Sequence, residues 1–93
     1  MQFEWDAAKS QGNARKHGVT FDEAATVFGD PLALTFDDVE HSEGEPRYLT
    51  FGVSSGNRAL VVAHTARGDK IRIISARAMT PRERRDYEQY GQR

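Results

Sequence analysis

Hydrophobic and polar positions alternate with the period of a β-strand, or run as short apolar blocks, in four segments after residue 31. These segments span residues 32–36, 47–54, 58–66 and 70–79. The turn Arg67-Gly68-Asp69 joins the last two, because glycine supplies the positive φ of a tight hairpin. A shorter alternation, Phe3-Glu4-Trp5, predicts one more strand near the N-terminus. Short turns between the main strands favour a small antiparallel meander.

Helix signals occur before and after these strands. Asp6 caps a predicted helix from Ala7 to His17, and Gly18 is a typical residue to end it. A capping box at Thr20-Phe21-Asp22-Glu23 opens a second helix, which extends to about Phe28 with an apolar stripe for the core. Thr80-Pro81-Arg82-Glu83 opens a third. The pattern therefore predicts an α+β fold, with N-terminal helices packed on the sheet and a C-terminal helix.

Length and composition narrow the class of protein. Ninety-three residues suit a single domain spanning 1–93, and the absence of cysteine excludes disulfides and thiolate chemistry. That absence fits a reducing cytoplasm. No apolar run approaches the roughly 18 residues of a membrane span, and the first residues lack the basic and apolar regions of a signal peptide. We therefore expect a cytoplasmic protein without a membrane partner.

Charge is divided unevenly between the two halves of the chain. Residues 1–46 carry three basic and ten acidic groups, whereas residues 47–93 carry ten basic and four acidic ones. Such asymmetry indicates a polyanionic partner for the second half. Mutual neutralisation across the folded surface explains it equally well.

The segment from Asp37 to Pro46 holds five of the fourteen acidic residues, together with His41. Carboxylates bind hard divalent cations, so a metal site is one interpretation. The spacing matches no ligand pattern. We favour a mobile, solvated loop.

The remaining candidate chemistry lies in the cationic second half. The chain shows no nucleophile elbow, no phosphate-binding glycine loop and no zinc spacing, and no cofactor is indicated. An array of His and Arg suits metal-free RNA cleavage, which needs a base, an acid and cations around the phosphorane. His64 is a candidate acid or base. Arg67, Arg72 and Arg77 are candidates for phosphate, and Tyr48, Phe51 or Tyr87 for stacking an unpaired base.

Each candidate also has a structural explanation. His64 can be a hydrogen-bonded sheet residue, and Arg77 can form an ion pair with Glu83 or Asp86. Arg72 and Arg77 lie on opposite faces of a regular strand, so both face one side only if a bulge intervenes near Ser75-Ala76. Lys16-His17 either contacts phosphate or stabilises the C-terminal end of the first helix.

An ordered set of motifs runs through nearly the whole chain. The N-terminal blocks are Phe3-Glu4-Trp5-Asp6, Asn13 with Lys16-His17-Gly18-Val19, Phe21 with Glu23-Ala24, and Val27-Phe28 with Asp30-Pro31. The middle blocks are His41-Ser42, Glu45 with Arg47, Gly52 with Ser54, and Leu60-Val61-Val62 leading to His64-Thr65 and Arg67. The last blocks are Arg72-Ile73-Ile74-Ser75-Ala76-Arg77 and Thr80 with Glu83-Arg84 and Tyr87. In this order they resemble the BrnT family of type II toxin–antitoxin toxins. Met79 and Asp86 depart from the family pattern.

The resemblance implies a RelE-like fold and a ribonuclease that inhibits translation. It also implies a BrnA-like ribbon-helix-helix antitoxin, a typical complex of two toxins with two antitoxins, and repression of the operon through the antitoxin's contact with operator DNA. Combining resemblance and residue chemistry, we assign catalysis to His64, Arg67 and Arg77. We assign RNA binding to a further set: Lys16, His17, Tyr48, Arg72, Arg84 and Tyr87. The alternatives are a related toxin that binds a topoisomerase without cleaving RNA, and an inactive copy that only assists repression.

Overall fold

The computed structural model describes residues 1–91, which form a five-stranded sheet and three α-helices. In chain order the elements are β1 (Gln2–Glu4), α1 (Ala7–His17), α2 (Phe21–Thr26), β2 (Leu34–Asp37), β3 (Tyr48–Val53), β4 (Ala59–Arg67), β5 (Lys70–Ala78) and α3 (Pro81–Gly91). Two 3-10 turns, Val27–Gly29 and Val39–His41, lie in the connections. The α+β class is therefore confirmed.

The sheet is mixed: the predicted antiparallel meander is confirmed for β2 to β5, but the whole sheet is not antiparallel, because it has a fifth, parallel strand. The strand order is β1-β5-β4-β3-β2, and the four strands from β2 to β5 pair antiparallel. β1 pairs parallel with β5, with Phe3 opposite Ile71. The reason is that β5 ends the meander with one edge unpaired, and the N-terminal strand fills it.

A register shift in β5 changes which arginines share a face. Ala63 pairs with Ser75 while its neighbour His64 pairs with Ile73, so the ladder skips Ile74. As a result Ile73 and Ala76, three residues apart, are both buried against the helices. Their neighbours Arg72 and Arg77 therefore both lie on the face away from α1 and α2. The shift occurs slightly before the position that the sequence indicated.

The main core lies between one face of the sheet and helices α1 and α2. It contains the predicted stripe of α2 and apolar residues of β4 and β5: Val19, Phe21, Ala24, Val27, Leu60, Val62, Ile73 and Ala76. The Asn13 side chain joins α1 to this sheet. Its Nδ2 donates to the carbonyl oxygens of Val19 and Ala76, both at 2.8 Å, and its Oδ1 accepts from the Ala76 amide.

Helix α3 lies over the other face, where it leaves an apolar groove of about 390 Å³. The groove is lined mainly by apolar side chains of β2 and β3 and by polar residues of α3: Leu34, Phe36, Leu49, Phe51, Glu83, Asp86, Tyr87 and Tyr90. The Tyr87 hydroxyl anchors α3 by donating to Asp30. None of the helices in residues 1–91 is both long and apolar enough to cross a membrane.

Candidate active site

The sequence-predicted site residues lie in three separate regions. Lys16 and His17 end α1, next to Gly18, whose carbonyl oxygen accepts from Arg58 at 2.8 Å. Arg58 precedes β4, and Arg67 ends it. Nine strand residues separate the two ends by about 30 Å. Lys16 and His17 therefore do not share one phosphate with Arg67.

The second region is the contact between β5 and α3. Arg77 binds Glu83 through two hydrogen bonds of 2.7 and 3.0 Å. The hydrogen bond from Arg77 lowers the pKa of Glu83 to about 2. Arg84 donates from Nε to Glu88 at 3.1 Å. Burial, aided by the bond to Asp30, raises the pKa of Tyr87 to about 12. In this structure the Arg77 and Tyr87 contacts hold α3 in place on the rest of the protein, and the Arg84 contact lies within α3.

His64 is the most buried of the three histidines, with 7% of its surface exposed. Its Nε2 is hydrogen-bonded to Thr50 Oγ1 at 2.7 Å, and Thr50 in turn contacts Thr35 Oγ1 at 2.8 Å. The rings of Phe28 and Tyr48 lie 4.9 and 5.8 Å from it. Burial lowers the pKa of His64 to about 4, so the ring is neutral at pH 7.

The third region is the acidic loop beside the end of β4. Ser42 closes this loop: its Oγ donates to the Asp38 carbonyl at 2.7 Å and accepts from the Arg47 amide at 2.9 Å. The Asp38 amide donates to the Arg47 carbonyl at 2.8 Å. Thr65 Oγ1 donates to the Pro46 carbonyl and ties the loop to β4. The side chains are largely solvated, as expected, but the backbone is a closed, hydrogen-bonded turn.

A polar pocket of about 430 Å³ opens in this loop. Five side chains line it: Glu40, His41, Glu43, Glu45 and Arg47. Arg67 reaches its edge from the end of β4, because its guanidinium donates to Glu45 Oε1 at 3.2 Å. Within residues 1–91 no three potential ligand side chains converge on one metal position. The pocket thus combines guanidinium, imidazole and carboxylate groups.

His41 is held in this pocket by Asp38. Its Nδ1 lies 3.0 and 3.1 Å from the two carboxylate oxygens. The His41 side chain is 61% exposed, whereas that of Asp38 is 14% exposed. The carboxylate accepts from Nδ1–H, which leaves Nε2 for another partner.

Two of the predicted residues lie near the pocket. Tyr48 begins β3 directly after Arg47, and Arg72 lies opposite Thr65 near the end of β4. Arg72 donates to Glu4 at 2.8 Å. Of the predicted cationic residues, Arg67 is the one with a hydrogen bond to a side chain of the pocket wall, that of Glu45.

The sequence-based site assignment omitted His41, Glu45 and Arg47. The signal was present, since His41-Ser42 and Glu45 with Arg47 are among the motifs that carry the family resemblance. The density of acidic residues instead favoured a solvated loop. Only the closed turn around Ser42 places these side chains in one pocket, where Glu45 accepts from Arg67.

The family of the chain follows from comparison with known proteins. The sequence model of a protein family, described as the ribonuclease toxin BrnT of type II toxin–antitoxin systems, matches residues 5–83. The chain belongs to the BrnT family. The crystal structure of the Brucella abortus ribonuclease toxin BrnT has a similar fold, with a TM-score of 0.67 and 24% identity over 86% of this chain and 97% of that one. Comparison with curated proteins gave no match.

The BrnT assignment sets the broad function. The chain is a ribonuclease toxin of a type II toxin–antitoxin system, and such a system implies an antitoxin partner.

Proposed function

We propose that this BrnT-family toxin is a metal-independent endoribonuclease, which cleaves RNA to a 2′,3′-cyclic phosphate and a 5′-hydroxyl. The observation that carries the proposal is the contact of Arg67 with the polar pocket of the acidic loop. Arg67 was assigned to catalysis from the sequence, and it donates to Glu45, a residue of the pocket wall that also contains His41 and Arg47. Two guanidinium groups are suited to the negative charge that develops on a phosphorane.

In this proposal the pocket binds one phosphodiester at a time. Its volume of about 430 Å³ is within the usual range of small-molecule sites. Arg47 and Arg67 hold the phosphate, and Tyr48 and Arg72 contact the neighbouring nucleotides. His64 keeps Tyr48 in place through their ring contact. Arg77, Arg84 and Tyr87 act through the position of α3, and Lys16 and His17 contact more distant parts of the RNA.

The biological setting belongs to the same proposal. RNA cleavage in the cytoplasm inhibits translation, and a BrnA-like antitoxin with a ribbon-helix-helix domain neutralises the toxin. A complex of two toxins with two antitoxins binds operator DNA through the antitoxin and represses the operon. The family assignment supports this setting, since a type II toxin acts together with a protein antitoxin.

The test is cleavage of a 5′-labelled RNA by the purified toxin, freed from its antitoxin, in EDTA. Wild type is expected to leave fragments ending in 2′,3′-cyclic phosphate. Arg67→Ala is expected to lose at least about 100-fold in rate, the typical cost of removing one group that stabilises a transition-state oxyanion. Arg85→Ala removes an exposed arginine of α3 and is the matched control, expected to cut like wild type.

Four outcomes would contradict the proposal. Cleavage that stops in EDTA would overturn metal independence. Equal cleavage by wild type and Arg67→Ala would overturn the site. Intact RNA, despite growth arrest in cells, would favour a toxin that acts by binding a topoisomerase, and intact RNA without growth arrest would favour an inactive co-repressor.

A further inference from the structure

The geometry points to His41 as the proton donor to the 5′-oxygen that leaves during RNA cleavage, with Asp38 positioning its ring and Glu45 accepting the proton of the 2′-hydroxyl. This inference rests on the proposed ribonuclease function and assigns the proton transfers within it. It adds to the site three residues that neither the sequence assignment nor the family description names.

The three histidines differ in what they offer a substrate. His17 is exposed but lies next to Gly18, which contacts Arg58, and nine strand residues spanning about 30 Å separate Arg58 from Arg67. His64 is neutral and buried, and its Nε2 is bound to Thr50. His41 is exposed, lines the polar pocket, and uses only Nδ1 for its contact with Asp38. His41 is therefore the imidazole suited to exchange a proton with bound RNA.

Asp38 is well placed to orient the imidazole ring of His41. Its side chain is mostly buried. Its amide and carbonyl groups are fixed by Arg47 and Ser42, as described above. The His41 amide also donates to the Asp38 carbonyl, at 3.2 Å. A carboxylate fixed in this way selects the tautomer of the imidazole, orients its ring and compensates the charge of the imidazolium.

Glu45 completes the pair of proton-transfer groups. It lines the same pocket as His41, is about half exposed, and accepts a hydrogen bond from Arg67. Its carboxylate already accepts a hydrogen bond from a guanidinium, so its role is that of the proton acceptor, the base. The imidazole then has the role of the acid.

The proposed step is balanced as follows. The 2′-hydroxyl gives its proton to the Glu45 carboxylate while the bond from O2′ to phosphorus forms. The bond from phosphorus to O5′ breaks, and its electron pair stays on O5′, which takes the proton from His41 Nε2. The products are a 2′,3′-cyclic phosphate and a 5′-hydroxyl, with no further reactant. Arg47 and Arg67 stabilise the charge on the non-bridging oxygens.

The test changes the leaving group. First the wild-type cleavage site in a short RNA is mapped, and then the same RNA is made with sulfur in place of the bridging 5′-oxygen at that site. A thiolate leaves without taking up a proton, so it does not need a general acid. His41→Gln is expected to slow cleavage of the oxygen RNA by about 100- to 10,000-fold, and cleavage of the sulfur RNA by only a few-fold.

Two further variants make the comparison specific. Arg67→Ala should slow both RNAs alike, because phosphate binding is needed with either leaving group. Asp38→Asn should slow the oxygen RNA more than the sulfur RNA, because it removes the partner that orients the acid. Since His41 is largely exposed, His41→Gln should retain the wild-type circular dichroism spectrum and melting temperature.

The outcomes separate this inference from the proposed function. If wild type cuts RNA and His41→Gln cuts the oxygen RNA equally well, or slows both RNAs equally, the assignment of His41 is overturned and the ribonuclease proposal stands. If wild type leaves the oxygen RNA intact at the mapping step, the ribonuclease proposal is overturned, and the assignment of His41 falls with it. A defect confined to the oxygen RNA supports both.

Discussion

Lowering the pH from 7 to 5 should destabilise this protein through His64. Burial lowers the pKa of His64 in the folded state from 6.5 to about 4. The unfolded chain therefore takes up a proton near pH 6.5, whereas the folded protein resists protonation until about pH 4. The stabilisation is complete above pH 6.5 and is lost as the pH falls between these two values.

The size of the effect follows from the two pKa values. At 1.36 kcal/mol for each pKa unit, the full loss below pH 4 is about 3 kcal/mol. At pH 5 it is about 2 kcal/mol, since most of the interval has been crossed. Solvent screening reduces this little, because His64 is only 7% exposed. A loss of about 2 kcal/mol is a large part of the 5–15 kcal/mol that stabilises a typical domain.

Urea unfolding at pH 7 and pH 5 measures the effect. The unfolding free energy of wild type should fall by about 2 kcal/mol more than that of His64→Gln, whose amide does not titrate. His17→Gln replaces an exposed histidine and should follow wild type. The carboxylates Glu23 and Glu83 have folded pKa values of about 2, so their contribution is lost mainly below pH 4.5. Equal pH dependence in wild type and His64→Gln would refute the argument.

Three further predictions concern the core and the polar pocket. Asn13→Ala should lower the unfolding free energy by about 3 kcal/mol, because three buried hydrogen bonds are lost. Gly52→Ala should cost about 1–3 kcal/mol, because the added Cβ would lie 2.8 Å from a Val27 methyl carbon. Glu43→Gln should lower the KM for RNA about two- to five-fold at low salt, because it removes a negative charge from the pocket wall. Thermal unfolding measures the first two, and RNA cleavage kinetics the third.

Each of these changes has a control. Gln11→Ala lies on the exposed side of α1 and should change stability little. Gly12→Ala meets no atom within 4 Å and should stabilise α1 by about 0.5–1 kcal/mol. For Glu43→Gln the difference from wild type should vanish at high salt, and a KM difference that persists there would exclude the electrostatic explanation.

Local sequence signals predicted the elements well, because the helices and hairpins are encoded by nearby residues. Asp6 and Thr20 cap their helices as expected, and Gly68 has the positive φ of the tight turn. The parallel pairing of β1 with β5 joins residues about 68 apart in the chain. No local pattern specifies such a contact, since any free strand edge accepts it.

The site was harder to predict because charge and spacing do not report burial. From the sequence His64 was the candidate acid or base and His41 was assigned to a solvated loop. In the structure His64 is enclosed by rings, and His41 is held at the surface by Asp38. Arg77 had a structural alternative in Glu83, and the structure shows that ion pair. The difference arises from tertiary packing, which a one-dimensional pattern does not contain.

Ion pairs explain the uneven charge of the chain. They combine the two interpretations drawn from the sequence, neutralisation of one half by the other and a polyanionic partner for the second half. Within residues 1–91, three ion pairs join an acid of the first half to an arginine of the second: Glu4 with Arg72, Glu23 with Arg58, and Glu45 with Arg67. Glu23 is the least exposed of the three acids, at 21%, and the hydrogen bond from Arg58 lowers the pKa of Glu23 to about 2. These pairs neutralise the halves against each other.

The Glu45–Arg67 pair differs because both side chains are about half exposed and the hydrogen bond is 3.2 Å long. An exposed pair of this kind is worth only a fraction of 1 kcal/mol up to about 1 kcal/mol, so an incoming phosphate can displace the carboxylate at little cost. In the proposed reaction that displacement has a consequence for catalysis, because Arg67 then holds the phosphate while Glu45 is released as a base beside it. The weakest of the pairs that neutralise the two halves is thus the one that the substrate has to break.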